Sequence, residues 1–184
     1  FVRPRKVEIR ESEIPDPGKG EVLVRTLYSG ISHGTEMTWY RGTSPRSRKD
    51  VRNGLFEDGD GTNSGYPCVH GYEEVGEVIE LGEGVNNLSV GDRITCVSGH
   101  REYAIVNAEG PYVRTLPPEM DPVHGVFLAL GGVALDALLS APLRLGESAV
   151  VFGQGVIGLL LVALCRRAGA YPVIAVDPLE SRRE

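Results

Sequence analysis

The chain has 184 residues, a net charge of −6, 41% hydrophobic residues and 24% charged residues. That length buries a core without disulfide or metal staples, and the composition is that of an ordinary globular protein. The acidic balance excludes a nucleic-acid binder of the usual kind, whose affinity comes from clustered Lys and Arg.

Short strands separated by glycine turns fill the first ~115 residues, a pattern that predicts a barrel or sandwich. Strands are expected over residues 21–28, 74–81, 93–97, 102–106 and 112–114. Residues 42–65 carry Pro45, Asp58-Gly59-Asp60-Gly61 and Asn63-Ser64-Gly65 without periodicity, and read as a long functional loop. The basic stretch 46–52 inside it reads as solvated. After Pro117-Pro118 the pattern changes. Residues 123–141 predict one or two buried helices closed by Pro142. Residues 148–152 predict an apolar strand buried on both faces, 156–168 a helix ended by Gly169, and 171–177 a second strand. The sum is a βαβ unit.

Cys68, Cys96 and Cys165 lie too far apart for metal-ligand spacing and are too few for a disulfide framework, which points to a reducing cytoplasm. The first residues lack the apolar core of a signal peptide. The apolar run 156–165 is too short to span a membrane, so no membrane partner is expected.

Gly153-Gln154-Gly155-Val156-Ile157-Gly158 follows the first βαβ strand and opens its helix. In this context a G-x-G-x-x-G binds a dinucleotide. Gly153 permits the tight turn, Gly155 lets backbone approach the pyrophosphate, and Gly158 lets helix pack on strand. The phosphates sit on the first turn, at Val156 and Ile157, where free N–H groups and the helix dipole favour anions. Asp177 ends the next strand. Its carboxylate accepts the ribose hydroxyls of NAD and repels the 2′-phosphate of NADP, so NAD is favoured with NADP as the alternative. Arg182 and Arg183 are candidates to lie near the adenine.

These blocks together resemble the medium-chain dehydrogenase/reductase superfamily, the zinc-type alcohol dehydrogenases and their relatives. The resemblance rests on Gly20-Glu21-Val22-Leu23-Val24-Arg25, on the segment from Gly30 to Glu36, and on Gly71-Tyr72-Glu73-Glu74-Val75-Gly76-Glu77-Val78 with its trailing Leu81-Gly82-Glu83-Gly84-Val85. Val90-Gly91-Asp92-Arg93-Ile94, Gly99-His100-Arg101-Glu102-Tyr103 and the Gly153 fingerprint complete it. Tyr28-Ser29-Gly30-Ile31-Ser32-His33-Gly34-Thr35-Glu36 with Tyr40-Arg41-Gly42 is similar to the branch that includes bacteriochlorophyllide and sugar dehydrogenases.

The resemblance implies a GroES-like β-barrel catalytic domain (residues 1–118), connecting helices (119–146), and the first βαβ unit of an incomplete Rossmann domain (147–184). A Rossmann sheet normally has six strands, so the 184 residues are expected to be part of a longer chain. The implied activity is hydride transfer between a nicotinamide and a secondary alcohol or ketone, a small-molecule substrate. A homo-oligomer is expected. The alternatives are a non-catalytic nucleotide-binding or interaction module, and a zinc-free enone or quinone reductase.

The family's zinc ligands are altered. His33 stands at the first ligand position if Gly34-Thr35-Glu36 is aligned with the family motif, and Ser32 requires a shift of one residue. Tyr72 replaces the His of Gly-His-Glu, and Gly131-Gly132 falls at the third position. Zinc is therefore doubtful. Either a rebuilt site uses His33 and Glu73, with or without His100, or hydrogen-bond donors among Tyr72, Thr35 and His33 polarise the carbonyl. In the resemblance Thr35 relays a proton, Glu36 orients its neighbours, and Glu73 stands behind the site. His100 reads equally as a strand-edge residue and His124 as structural. Trp39 and Tyr40 line the substrate pocket or pack in the core.

Overall fold

Residues 21–29 extend because they are rich in β-branched and aromatic side chains, Val22, Val24, Thr26 and Tyr28, which fit a pleated surface. They form β1 (Glu21–Ser29), with Val22 and Val24 fully buried. The computed structural model describes residues 1–45, 49–52, 55–58 and 65–183. It divides into two units, Phe1–Val126 and Phe127–Glu184.

In the first unit, β1 lies between β4 (Glu74–Leu81) and β6 (Tyr103–Asn107). β5 (Arg93–Cys96) and β7 (Arg114–Thr115) complete an antiparallel five-stranded sheet in the order β6-β1-β4-β5-β7. The β1–β4 register slips twice, between Leu23 and Val24 and between Thr26 and Tyr28. Such bulges bend a strand and re-aim its side chains. Opposite β1, Gly76 has no room for a side chain, because a Cβ there would stand 2.3 Å from Val24 Cγ1. Val22, Val24, Val78, Ile94, Ala104 and Val106 form the heart of the core.

Two elements were not legible in the sequence. Residues 35–41 form a short helix, α1 (Thr35–Arg41), which ends where Gly42 turns into the left-handed region at φ 72° and its N–H returns to the Trp39 carbonyl. Inside the expected 42–65 loop, β2 (Lys49–Arg52) and β3 (Leu55–Asp58) pair as an antiparallel hairpin. Residues 46–48, 53–54 and 59–64 of that loop lie outside the described residues, so the reading of it as a functional loop is not reached.

The second unit begins with α2 (Leu128–Ser140), preceded by a 3-10 turn at Pro122–Phe127. β8 (Ala149–Phe152) and β9 (Val173–Val176) pair in parallel, joined by α3 (Val156–Arg167). Val151, Cys165 and Ala170 are its core. Two expectations are corrected here. β8 is buried at Val151 only, with Phe152 79% exposed, because within this unit the helices cover one face of a two-stranded sheet. The helices expected to be buried over 123–141 are also largely exposed, with Gly125, Val126 and Ala134 as their buried residues. Moreover, Pro122–Ser140 is long and apolar enough, by length and composition alone, to cross a membrane. It is longer than the apolar run at 156–165.

Candidate active site and nucleotide cradle

In the first unit, polar side chains gather where β1 ends, α1 begins and β4 starts. The sequence brings them together through close backbone approach. A Cβ on Gly71, whose φ is +127°, would lie 2.5 Å from the backbone nitrogen of His100. Residue 71 must therefore be glycine for residues 99–100 to pack on 70–71, and the His100 N–H then donates to the His70 carbonyl at 2.9 Å. Similarly, a Cβ on Gly30 would stand 2.7 Å from Glu73 Oε2.

Glu36 lies in the first turn of α1 and is fully buried. Its Oε1 accepts the Ser32 backbone N–H at 3.2 Å, and its Oε2 lies 2.6 Å from His100 Nε2. The other ring nitrogen of His100, Nδ1, lies 2.5 Å from Ser29 Oγ. The Tyr72 hydroxyl donates to Ser32 Oγ at 2.5 Å. Glu73 and Glu74 follow, 5% and 1% exposed. Glu74 Oε1 accepts from the Thr26 hydroxyl at 3.4 Å. Glu73 Oε1, Glu74 Oε2 and His70 Nε2 are buried without a hydrogen-bond partner.

This crowding shifts titrations in a consistent way. Burial, reinforced by the neighbouring Glu36 charge, raises the Glu73 carboxyl above its ordinary range. Burial pushes Glu74 up to about 7, against the pull of His100 and the Thr26 hydroxyl. The same desolvation lowers His70, which packs against the Trp39 ring at 4.9 Å.

Of the residues expected to act, Tyr72, Glu36 and Glu73 come together. Thr35 and His33 are exposed, and neither side chain joins these contacts. It is Ser32, one residue before His33, that meets Tyr72. Ser29 is absent from the sequence-based candidates, Ser32 stands among them only as the one-residue shift, and His100 only as an optional zinc ligand. For His100 the signal was the Gly71 and Gly99 pair, whose purpose only the packing reveals. Trp39 belongs to an aromatic group with Tyr66 and His70, and the Tyr66 hydroxyl donates to the Trp39 carbonyl. Tyr40 lies against Phe1.

The donor set does not fit a zinc ion. Zinc takes Cys, His, Asp or Glu, usually three from the protein at a catalytic site. Among the described residues no three such side chains gather for a metal. A serine hydroxyl and a phenol, bonded to each other, face the space between α1 and residue 72, and both His100 nitrogens are engaged.

In the second unit the residues fit a dinucleotide. Gly153 turns at φ +88°, and nothing lies within 4 Å of a Cβ placed on Gly155, which leaves room for a phosphate to approach the backbone. A Cβ on Gly158 would stand 1.8 Å from the Gly153 carbonyl oxygen, so glycine allows α3 to pack on the turn. Val156 and Ile157 occupy the first turn, 41% and 39% exposed. No side chain caps this helix, so its first N–H groups face outward for an anion. Asp177 is buried at the end of β9. Its Oδ2 accepts the Gln154 N–H at 2.8 Å and its Oδ1 the Leu179 N–H at 2.9 Å. These two bonds hold its carboxyl below the usual carboxylate range. A carboxylate has about four acceptor directions, so it retains capacity for ribose hydroxyls. Arg182 lies 3.8 Å from Asp177 Oδ2, and Arg183 donates to the Asp177 carbonyl at 2.5 Å.

Known proteins resemble the chain along nearly its whole length. Residues 18–139 match the family model described as "Alcohol dehydrogenase GroES-like domain". The L-threonine 3-dehydrogenase of Thermococcus kodakarensis is 30% identical over 211 residues, covering 96% of this chain and 54% of that protein. The crystal structure of 2R,3R-butanediol dehydrogenase from Bacillus subtilis has a TM-score of 0.79 at 29% identity, covering 99% of this chain and 58% of that one. A zinc-binding dehydrogenase of Sinorhizobium meliloti 1021, bound to NADP, has a TM-score of 0.77 at 26% identity, with coverage of 99% and 56%. The chain thus spans about half the length of the relatives it matches.

Proposed function

The chain belongs to the alcohol dehydrogenase family with a GroES-like domain, within the medium-chain dehydrogenase/reductase superfamily, and from this we propose that the protein of which it is part interconverts a secondary alcohol and a ketone with a nicotinamide cofactor. The observation that carries this reading is the nucleotide cradle: a left-handed Gly153, open space over Gly155 and Asp177 at the strand end. When bound, the cofactor supplies a hydride acceptor or donor. The chain's own residues do the rest. Gly153, Gly155 and the first turn of α3 hold phosphate. Asp177 orients the adenosine ribose and disfavours a 2′-phosphate, so we propose NAD in preference to the NADP bound by the Sinorhizobium neighbour.

We further propose that the carbonyl oxygen is polarised without zinc. The Ser32 hydroxyl, which accepts from the Tyr72 hydroxyl and whose backbone N–H is held by Glu36, keeps its own proton free and is a preorganised donor for charge that develops on that oxygen, with Tyr72 fixing its position. Thr35, the relay that the family resemblance implies, is exposed at the start of α1 and stands outside these contacts. We also propose a cytoplasmic homo-oligomer, supported by three free cysteines and by apolar side chains such as Leu139 and Phe152 that call for a covering surface. The helical run Pro122–Ser140 falls almost wholly inside the matched family region, which favours a domain helix over a membrane span.

The test is cofactor-linked turnover of an alcohol and carbonyl panel by the full-length protein, with metal analysis of the same sample. NADH-linked turnover with zinc well below one per chain supports the reading. Stoichiometric zinc whose removal abolishes activity overturns the metal-free part. Cofactor binding with no turnover overturns the enzymatic part.

A further inference from the structure

We propose that Ser29, His100 and Glu36 form the acid–base unit that exchanges the substrate's hydroxyl proton, a role that rests on the dehydrogenase reading above. The contacts run in line. Ser29 Oγ lies 2.5 Å from His100 Nδ1, and His100 Nε2 lies 2.6 Å from Glu36 Oε2. His100 is the exposed member, Ser29 is half-buried and Glu36 is buried. The His100 side chain keeps 34% of its surface open, whereas Glu36 has none.

A carboxylate on Nε2 favours the tautomer that carries its proton there, which leaves Nδ1 as an acceptor for the Ser29 hydroxyl. In alcohol oxidation, the substrate O–H bond breaks and its proton passes to Ser29 Oγ. The proton that Ser29 carried passes to His100 Nδ1. Two O–H bonds break, the substrate's and that of Ser29, while one O–H bond re-forms on Ser29 and one N–H bond is made on His100. No electrons move in this exchange. Reduction runs the same steps backwards. Glu36 pairs with the resulting imidazolium and is the positioning residue. The titratable groups that face His100 are Glu36, Glu73, Glu74 and His70. Of these, Glu36 is the one in direct contact with the ring, and the others act through space. The second oxygen of Glu36 holds Ser32, which bears the Tyr72 hydroxyl. One buried carboxylate therefore positions both the polarising pair and the base.

The full-length protein labelled with 15N tests this directly. In the neutral imidazole, His100 Nδ1 should be unprotonated, and its resonance should move in Ser29→Ala. His100→Gln should lower kcat by about 10²–10⁴-fold with little change in KM. It should also erase one limb of the kcat–pH profile, and added imidazole should partly restore His100→Ala. Ser29→Ala, which leaves the His100–Glu36 contact in place, is the second variant if His100 variants unfold, and it should lose the same limb. A proton resident on Nδ1 in the neutral ring overturns the proposal, as does an unchanged pH limb in both variants. A wild-type protein inactive on every alcohol and carbonyl is a different result, because it overturns the dehydrogenase reading and this proposal with it. Unaffected variants of an active enzyme overturn the proposal alone.

Discussion

Glu74 gives the sharpest test of the electrostatics. It is 1% exposed in β4, one carboxylate oxygen lacks a partner, and burial moves its titration from an ordinary 4.5 to about 7. Each tenfold change in proton affinity is worth roughly 1.4 kcal/mol, so the shift corresponds to about 3 kcal/mol. Below pH 4.5 both folded and unfolded chains hold the proton, and there is no penalty. Between 4.5 and about 7 the unfolded chain releases it while the folded chain keeps it, so stability falls as pH rises. Above about 7 the loss is complete and constant. Glu74→Gln removes the titration and keeps an oxygen for the Thr26 hydroxyl. The variant should match the wild type near pH 4.5 and exceed it by up to about 3 kcal/mol near pH 8. Urea unfolding at the two pH values measures the difference. An equal gap at both, of either sign, would refute the assignment of the shift to burial of Glu74.

Ser32→Ala removes the donor itself, so kcat should fall by about 10²–10³-fold, the usual loss for one preorganised donor, with KM little changed, and Tyr72→Phe, which removes only the hydroxyl that orients Ser32, should cost less; steady-state kinetics on any accepted ketone decides it. Gly158→Ala puts a Cβ 1.8 Å from the Gly153 carbonyl oxygen, which is rigid backbone. It should destabilise by about 1–3 kcal/mol in thermal unfolding and weaken NADH binding in a fluorescence titration. Asp177→Asn removes the charge and leaves one oxygen for the two amides that Asp177 now serves. NADH affinity should drop more than NADPH affinity, and an unchanged ratio between them would contradict the ribose role.

How much of this was legible depends on whether a feature is local. The strands 21–28 and 74–81 emerged almost residue for residue, because β-branched runs and glycine boundaries act within the segment itself. The fingerprint was legible for the same reason: Gly153, Gly155 and Gly158 each answer a local steric demand. α1 was not, since seven residues that begin Thr35-Glu36 carry too little periodicity, and what holds the helix is a carboxylate buried against His100, 64 positions away. In the site, the motif alignment favoured His33, whereas the helix start turns Ser32 inward and leaves His33 exposed. A one-residue ambiguity in a loop cannot be resolved from spacing when both neighbours have suitable chemistry. The burial expected of β8 failed because it was inferred for a full parallel sheet, and only β9 flanks it here.

Glu36 serves two limbs with its two oxygens, and this has a consequence for how the site tolerates change. Any alteration on the Ser32–Tyr72 side repositions the carboxylate that the Ser29–His100 side depends on, so substitutions on opposite limbs should be strongly epistatic. An adaptive path that alters one limb at a time would cross intermediates poorer than either end. Libraries that vary positions 29, 32, 72 and 100 together would search the site along its real degrees of freedom, with residue 36 held fixed as the pivot.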